Sequence, residues 1–125
     1  MGKIRNEMTI VHDWEKDKVE KLREDAIKVF REVIKQDLGN EEFVENMISP
    51  VMQSYINREY TFIINGDCSK LGWGTSERFH KARMKWCEKH KNIPQNIIVI
   101  NFGEGYEPSY IAFDNREESE DEEWI

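Results

Sequence analysis

Apolar residues recur three and four positions apart in the first third of the chain, between Trp14 and about Gln36. The apolar positions in this segment are Val19, Leu22, Ala26, Val29, Phe30, Val33 and Ile34. Charged residues fill the other positions, so the pattern predicts an amphipathic helix with one buried face. Asp13 is the predicted N-cap and Gly39 the predicted stop, because a short carboxylate accepts free N–H groups and glycine adopts left-handed backbone.

A second, shorter helix is predicted after this stop. Asn40 is its predicted cap, and it should end near Ser49 because Pro50 would cost about 3 kcal/mol inside a helix. A further turn is predicted through Met52 and Tyr55. The apolar positions of the helix are Phe43, Val44, Met47 and Ile48.

A third predicted helix lies in a segment of net positive charge, whereas the rest of the chain outside the C-terminal segment is not basic. Thr75 or Ser76 is its predicted cap, it ends around 91–92, and its inward positions are Phe79, Ala82, Arg83 and Trp86. The segment 70–91 contains two acids and seven bases, which are Lys70, Arg78, Lys81, Arg83, Lys85, Lys89 and Lys91. A basic helix attracts the phosphates of nucleic acids. The alternative interpretation is a solvated helix face above buried aromatic residues.

Strands are predicted where β-branched and aromatic residues cluster between turn residues. The strong segments are 60–65, which is predicted to be a central strand, 96–101 and 109–114. The segment 8–12 alternates weakly and predicts a short first strand. The candidate core positions in these strands are Phe62, Ile64, Ile98, Ile100, Ile111 and Phe113.

The resulting order, (β)ααβαββ, predicts an α+β fold with a small three- to four-stranded antiparallel or mixed sheet covered by helices. The chain has 125 residues, which fits one domain over 1–116 followed by an acidic tail over 117–125. The formal charge of −7 is concentrated in this tail, which contains six acids and no base. With no apolar run long enough to span a membrane and no signal-peptide pattern, a cytoplasmic location with reduced Cys68 and Cys87 is expected.

The loop between the predicted strand 60–65 and the third helix is the first candidate site. Its glycines would let backbone N–H groups converge on an anion near a helix start. The candidate ligand-binding residues are Gly66, Asp67, Ser69, Lys70, Gly72, Trp73, Gly74, Thr75, Ser76 and Arg78. The loop matches neither the phosphate-loop nor the dinucleotide-binding pattern, and the alternative is a tight connection in which Trp73 caps the core.

Metal-binding and catalytic patterns are incomplete. Cys87 and His90 supply half of one zinc-ligand pair, which His80 and Cys68 would have to complete, so neither a metal nor a cofactor is predicted. The nearest catalytic candidates are Cys68 with His80, and Asp67 with Lys70. No catalytic motif surrounds either pair, so a non-enzymatic protein is favoured.

The tail has the composition of a linear docking motif. Its acidic residues would steer it to a basic groove, and its last two side chains would fill an apolar pocket. The candidate partner-binding residues are Glu120, Asp121, Glu122, Glu123, Trp124 and Ile125. In pattern only, this segment is similar to the acidic, apolar-ended tails of bacterial single-stranded DNA-binding proteins, and no fold or function is implied because the chain lacks an oligonucleotide-barrel strand pattern. The alternative is that Trp124 folds back onto the domain.

The tail and the third helix have opposite charges, so the tail is expected to lie over that helix at low salt. Its predicted partners there are those among Lys81, Arg83, Lys85 and Lys89 that face solvent.

The function predicted from these features is a small regulatory or inhibitory module that binds a protein partner, of a phage or bacterial accessory or immunity type. The alternative is a domain that binds the phosphates of a nucleotide or nucleic acid through the loop 66–76 and the basic helix 75–91. A weaker alternative is a small enzyme built around Cys68 and His80.

Overall fold

Five antiparallel strands form one sheet in the computed structural model, which describes residues 3–116 of the chain. The strands are β1 (Glu7–Asp13), β2 (Met52–Gln53), β3 (Tyr60–Ile64), β4 (Asn96–Asn101) and β5 (Tyr110–Asp114), and their spatial order is β2-β3-β1-β4-β5. The helices are α1 (Lys16–Gln36), α2 (Val44–Met47) and α3 (Gly74–Lys89). The predicted α+β class is confirmed, whereas the predicted number and order of strands are wrong.

The strand with the weakest pattern is the centre of the sheet. β1 pairs with β3 along one edge and with β4 along the other. The predicted central strand 60–65 is also interior, since β3 lies between β2 and β1. The helix-facing positions of β1 include Glu7, Thr9 and Asp13, all of which are buried. Because these side chains are polar, the strand lacks the apolar alternation by which a half-buried strand is recognised.

α1 forms where the apolar spacing predicts it and ends at Gln36 as predicted, but the residues that flank its two ends have other roles than predicted. Asp13 is the last residue of β1, and its Oδ2 accepts the Glu15 N–H at 3.0 Å just before the helix begins. At the other end, Leu38 takes the left-handed conformation, with φ of 61°, and Gly39 N–H donates to the Ile34 carbonyl at 2.8 Å. This bonding closes the helix in a Schellman arrangement one residue before the predicted glycine.

The segment after α1 contains less helix and more strand than the apolar pattern predicts. Asn40 is a cap, as predicted, because its side chain accepts the Glu42 N–H at 2.9 Å above a short 3-10 turn, Glu41–Phe43. The predicted turn through Met52 and Tyr55 is wrong, since Met52 belongs to β2 and pairs with Thr61 of β3. Proline at position 50 ends the helical segment and permits this edge strand.

The helices cover one face of the sheet, and the core lies between them. The core includes Val11, Phe62 and Ile64 of the sheet, with Phe30 of α1 and Phe79 of α3. Ile98, Ile100 and Ile111 are not core residues, in contrast to the prediction, because Ile97 and Val99 occupy the helix-facing positions of β4. The run 97–100 is apolar at every position, so alternation alone does not assign its faces.

α3 begins one residue earlier than predicted, at Gly74. Trp73 stands at its N-cap without a side-chain cap bond, so Thr75 and Ser76 are not caps. Of the predicted inward residues, Phe79, Arg83 and Trp86 are buried. Their burial fixes which face of α3 meets α1 and the sheet.

Gly66 is the glycine that packs most closely on the central strand, which gives a test of this arrangement. A Cβ at Gly66 would lie 2.7 Å from the backbone oxygen of Glu7, whereas one at Gly74 would meet only the flexible Arg78 side chain at 3.3 Å. Gly66→Ala should lower the free energy of unfolding by about 1–3 kcal/mol because backbone must move. Gly74→Ala should change it by less than about 0.5 kcal/mol. Chemical denaturation of both variants checks this, and equal values would contradict the packing.

Candidate functional site

A buried polar cluster lies where the start of β1 meets the first half of α3. Arg5, Glu7 and Thr9 alternate onto the helix-facing side and are 8%, 2% and 0% exposed. The side chains of α3 that meet them lie on successive turns of its inward face, because they are three or four residues apart. The six members of this Glu7–Arg83 cluster are Arg5, Glu7, Thr9, Ser76, His80 and Arg83.

Arg83 joins α3 to two strands of the sheet. Its Nη1 donates to Thr9 Oγ1 at 2.7 Å and to the Ile64 carbonyl at 3.1 Å, and its Nη2 donates to the Asn65 carbonyl at 2.7 Å. Its Nε lies 3.4 Å from Glu7 Oε2, an ion pair without hydrogen-bond geometry. Burial lowers the pKa of Arg83 from its usual value, although the charge of Glu7 raises it. The guanidinium remains charged, because arginine keeps its proton in proteins.

Glu7 also holds the partly exposed His80. Nδ1 of His80 lies 3.1 Å from Glu7 Oε1, and the His80 side chain is 35% exposed. A carboxylate on one ring nitrogen orients the imidazole and favours proton acceptance at the other nitrogen. The pair could therefore serve acid–base chemistry if a nucleophile or substrate lay beside Nε2.

The thiol of Cys68 does not meet that imidazole. Its Sγ contacts Asn6 Oδ1 at 3.5 Å and the Gly66 carbonyl at 4.0 Å. Successive residues of an extended strand point to opposite faces, so Asn6 and Glu7 lie on opposite sides of the chain. Cys68 and His80 therefore contact different faces of the same strand, and their contacts do not bring nucleophile and base together.

Side-chain contacts within the loop 66–76 account for many of its polar residues. Asp67 Oδ2 accepts both the N–H and the hydroxyl of Ser69. Lys70 Nζ lies 5.6 Å from the centre of the Trp73 ring, which is a cation–π contact. Trp73 is 54% exposed and therefore does not cap the core. Ser76 is buried and accepts Arg5 Nε at 2.6 Å.

An internal carboxylate already lies at the start of α3. Asp37, which follows α1, accepts Thr75 Oγ1 at 3.0 Å and Arg78 Nε at 3.0 Å. The hydrogen bond from Arg78 lowers the pKa of the Asp37 carboxyl below its usual value. An incoming phosphate would have to displace this carboxylate to reach either residue, which weighs against an anion site here.

The basic residues of α3 are less available than their number indicates. Arg83 is 0% exposed, so its assignment as a contact for the tail or for nucleic acid is wrong. Ion pairs with acids of the same chain engage Arg78, Lys89 and Lys91. Within residues 3–116, the exposed Lys81 and Lys85 form no ion pair.

The two side chains of the incomplete zinc pattern have other environments. His90 Nε2 lies 3.0 Å from Asp25 Oδ2, and burial raises the pKa of the Cys87 thiol to about 12. Burial also raises the pKa of Asp25, but hydrogen bonds from His90, Lys89 and Trp86 outweigh it and lower that pKa overall. Among the described residues, no group of three His, Cys, Asp or Glu side chains is placed to hold a metal ion.

The outer face of the sheet is a feature that the sequence reasoning missed. Its aliphatic side chains come from β1, β3, β4 and β5, and in register Ile10 lies between Ile63 and Ile98 while Met8 lies beside Ile100. The six residues of this outer sheet face are Met8, Ile10, Ile63, Ile98, Ile100 and Ile111. Two signals pointed to it: the all-apolar run 97–100 and the aliphatic positions of the weak first strand.

The predicted partner-binding residues, Glu120, Asp121, Glu122, Glu123, Trp124 and Ile125, lie outside the described residues. In the part that is described, no helix has the length and apolar character needed to cross a membrane. No family model matches the chain, and neither does a curated protein or a solved structure.

The Glu7–Arg83 ion pair can be tested by a double-mutant cycle. Glu7→Leu should lower the free energy of unfolding by about 3–5 kcal/mol, because it leaves the buried guanidinium without its counter-charge, and Arg83→Met is the second single variant. Glu7→Leu combined with Arg83→Met should cost less than the sum of the single changes, since the double variant leaves no unpaired charge. Urea denaturation measures all four proteins. Additive costs would show that the two side chains act independently.

The two cysteines should differ in reactivity. Cys68 is exposed, whereas Cys87 is buried with its pKa raised to about 12. At pH 8 a thiol reagent should therefore modify one residue, Cys68, in the folded protein and both residues after denaturation, since the thiolate is the reactive form. Peptide mass spectrometry locates the label. Early modification of Cys87 would contradict its burial between α3 and the sheet.

Proposed function

We propose that this chain is a non-enzymatic regulatory or inhibitory module that binds a protein partner through the outer sheet face. The observation that supports this is the chemistry of that face. The solvated side of an antiparallel sheet is commonly polar, yet here adjacent positions on four strands carry isoleucine or methionine. Contiguous apolar surface of this kind marks interaction sites.

The distribution of polar side chains supports binding over catalysis. The most deeply buried ion pair of the described residues, Glu7 with Arg83, lies under α3, where it connects the helix to the sheet. His80 has an orienting carboxylate, but the contacts of Cys68 lead away from it. The weaker alternative of a small enzyme therefore has a base without an adjacent nucleophile.

The surroundings of the outer sheet face indicate what kind of partner fits. At one end of the outer sheet face, His12 Nδ1 lies 3.6 Å from Glu59 Oε1, and Asp114 is opposite Ile98 in the strand pairing. A fitting surface would have an apolar centre and donors or cations beside these carboxylates. A second copy fits less well, because each chain carries a formal charge of −7 and two copies repel.

The phosphate-binding alternative has less support. Asp37 holds Thr75 and Arg78 at the start of α3, and Arg83 is buried.

A substitution that keeps β-branching tests the outer sheet face. The variant carries Ile10→Thr, Ile98→Thr and Ile100→Thr, and the matched control carries Ile56→Thr in an exposed loop, where Ile56 is 64% exposed. A photo-cross-linking amino acid at Ile111, which belongs to the face and is 57% exposed, should give a cross-linked partner in cells of the source organism. The triple variant should lose that product, and the control should keep it.

The purified partner then permits a direct measurement by calorimetry. Removing three aliphatic contacts should weaken binding by about tenfold or more, since about 1.4 kcal/mol corresponds to tenfold. Two outcomes would contradict the proposal: equal binding by the parent and the triple variant, or cross-links between copies of this chain alone. Circular dichroism must show that both variants keep the parent fold.

A further inference from the structure

A groove of 440 Å³ runs along the surface between α1 and α3. The two helices are antiparallel, since Asp25 pairs with Lys89 at one end and Asp37 with Arg78 at the other. The floor of the groove is apolar, and its residues are Val29, Val33, Ala82 and Trp86. Its rim is mainly basic, with Glu32 as its one acid and Lys28, Lys85 and Lys89 as its bases.

The rim has charge available for an acidic ligand. Lys89 pairs with Asp25 at 3.2 Å, but Lys28 and Lys85 are exposed and form no ion pair with any residue from 3 to 116. This local excess of positive charge stands in a chain whose formal charge is −7. The groove therefore suits a segment that combines acids with a bulky apolar side chain.

The chain itself supplies such a segment close to the groove. At the last described residues, Asn115 Nδ2 donates to the Gln95 carbonyl at 2.8 Å, and Arg116 Nη2 donates to the Pro94 carbonyl at 3.1 Å. The described residues therefore end beside the loop that follows α3, near the end of the helix that carries Lys89. The segment 117–125 contains six acids followed by Trp124 and Ile125.

The length of this segment is sufficient. Eight residues of extended chain span about 26 Å. Along α3, the distance from Lys89 back to Ala82 is only about 10 Å, at 1.5 Å per residue. Trp124 can therefore reach the middle of the groove from the point where the described chain ends.

We propose that the α1/α3 groove binds residues 120–125 of the same chain. Trp124 and Ile125 lie against the apolar floor, and the acids from Glu120 to Glu123 lie beside the three rim lysines. One covalent chain presents the segment at high effective concentration, so weak contacts suffice. The bound segment shields these lysines from other polyanions. This inference concerns a different surface from the outer sheet face and does not depend on the proposed function.

Photo-cross-linking in the full chain tests whether residues 120–125 occupy the groove. Trp124 is replaced by benzoylphenylalanine, which keeps an aromatic ring, and the product is separated by mass and mapped by mass spectrometry. A cross-link within the monomer to α1 near Val29 or Val33, or to α3 near Ala82, is the expected result. A cross-linked dimer would assign the groove to the segment of a second copy and overturn the proposal. A cross-link elsewhere, or none, would overturn it as well.

Charge reversal supplies the matched control. Lys28→Glu with Lys85→Glu should lower the cross-linking yield several-fold, because repulsion replaces attraction at the rim. Lys16→Glu with Lys35→Glu alters the net charge equally but lies outside the groove lining, so it should leave the yield unchanged. An equal loss of cross-linking yield in both variants would show that only the net charge of the chain matters, and this would overturn the proposal. The outer-face triple variant should keep the cross-link, which separates this test from that of the proposed function.

Discussion

The burial of one arginine determines how the layers of this protein fit together. Removing a guanidinium from water is costly, and the cost is offset only when its donors and its charge have partners. Arg83 finds these partners on Thr9, on Glu7 and on the carbonyls that end β3. Since each partner belongs to a particular strand position, the contact fixes both the rotation of α3 and its height over the sheet.

This arrangement places polar residues inside and aliphatic residues outside along the same strand. β1 turns Glu7 and Thr9 under α3, so its alternate residues, Met8 and Ile10, must face the other side. A shift of register by one residue would reverse these faces and separate Arg83 from its partners. The buried ion pair therefore specifies which aliphatic side chains form the outer sheet face.

The sequence predicts the elements whose apolar spacing is regular, such as α1 and the β-branched β4. It does not predict β1 as the centre of the sheet, because burial there depends on a partner 74 residues away, in the Thr9–Arg83 hydrogen bond. It does not assign the faces of 97–100, since that run is apolar throughout. The helical spacing places Arg83 on the inward face of α3, which is correct, but the charge count also included it among the bases open to a ligand, because composition gives the number of charges and not their partners.

α3 contributes to both the Glu7–Arg83 cluster and the α1/α3 groove. This shared helix could couple the groove to the outer sheet face, because the cluster joins α3 to β1. Trp86 and Arg83 are three residues apart, so they lie on neighbouring turns of one helix. A ligand that binds in the groove and moves α3 would have to break the hydrogen bonds of Arg83 or move β1 together with the helix. Breaking them would leave a buried charge unpaired, at a cost of about 3–5 kcal/mol. Weak, exposed ion pairs at the rim, worth about 0.2–1 kcal/mol each, do not supply that energy. Occupation of the groove should therefore leave the outer sheet face in place, and the two surfaces should bind independently.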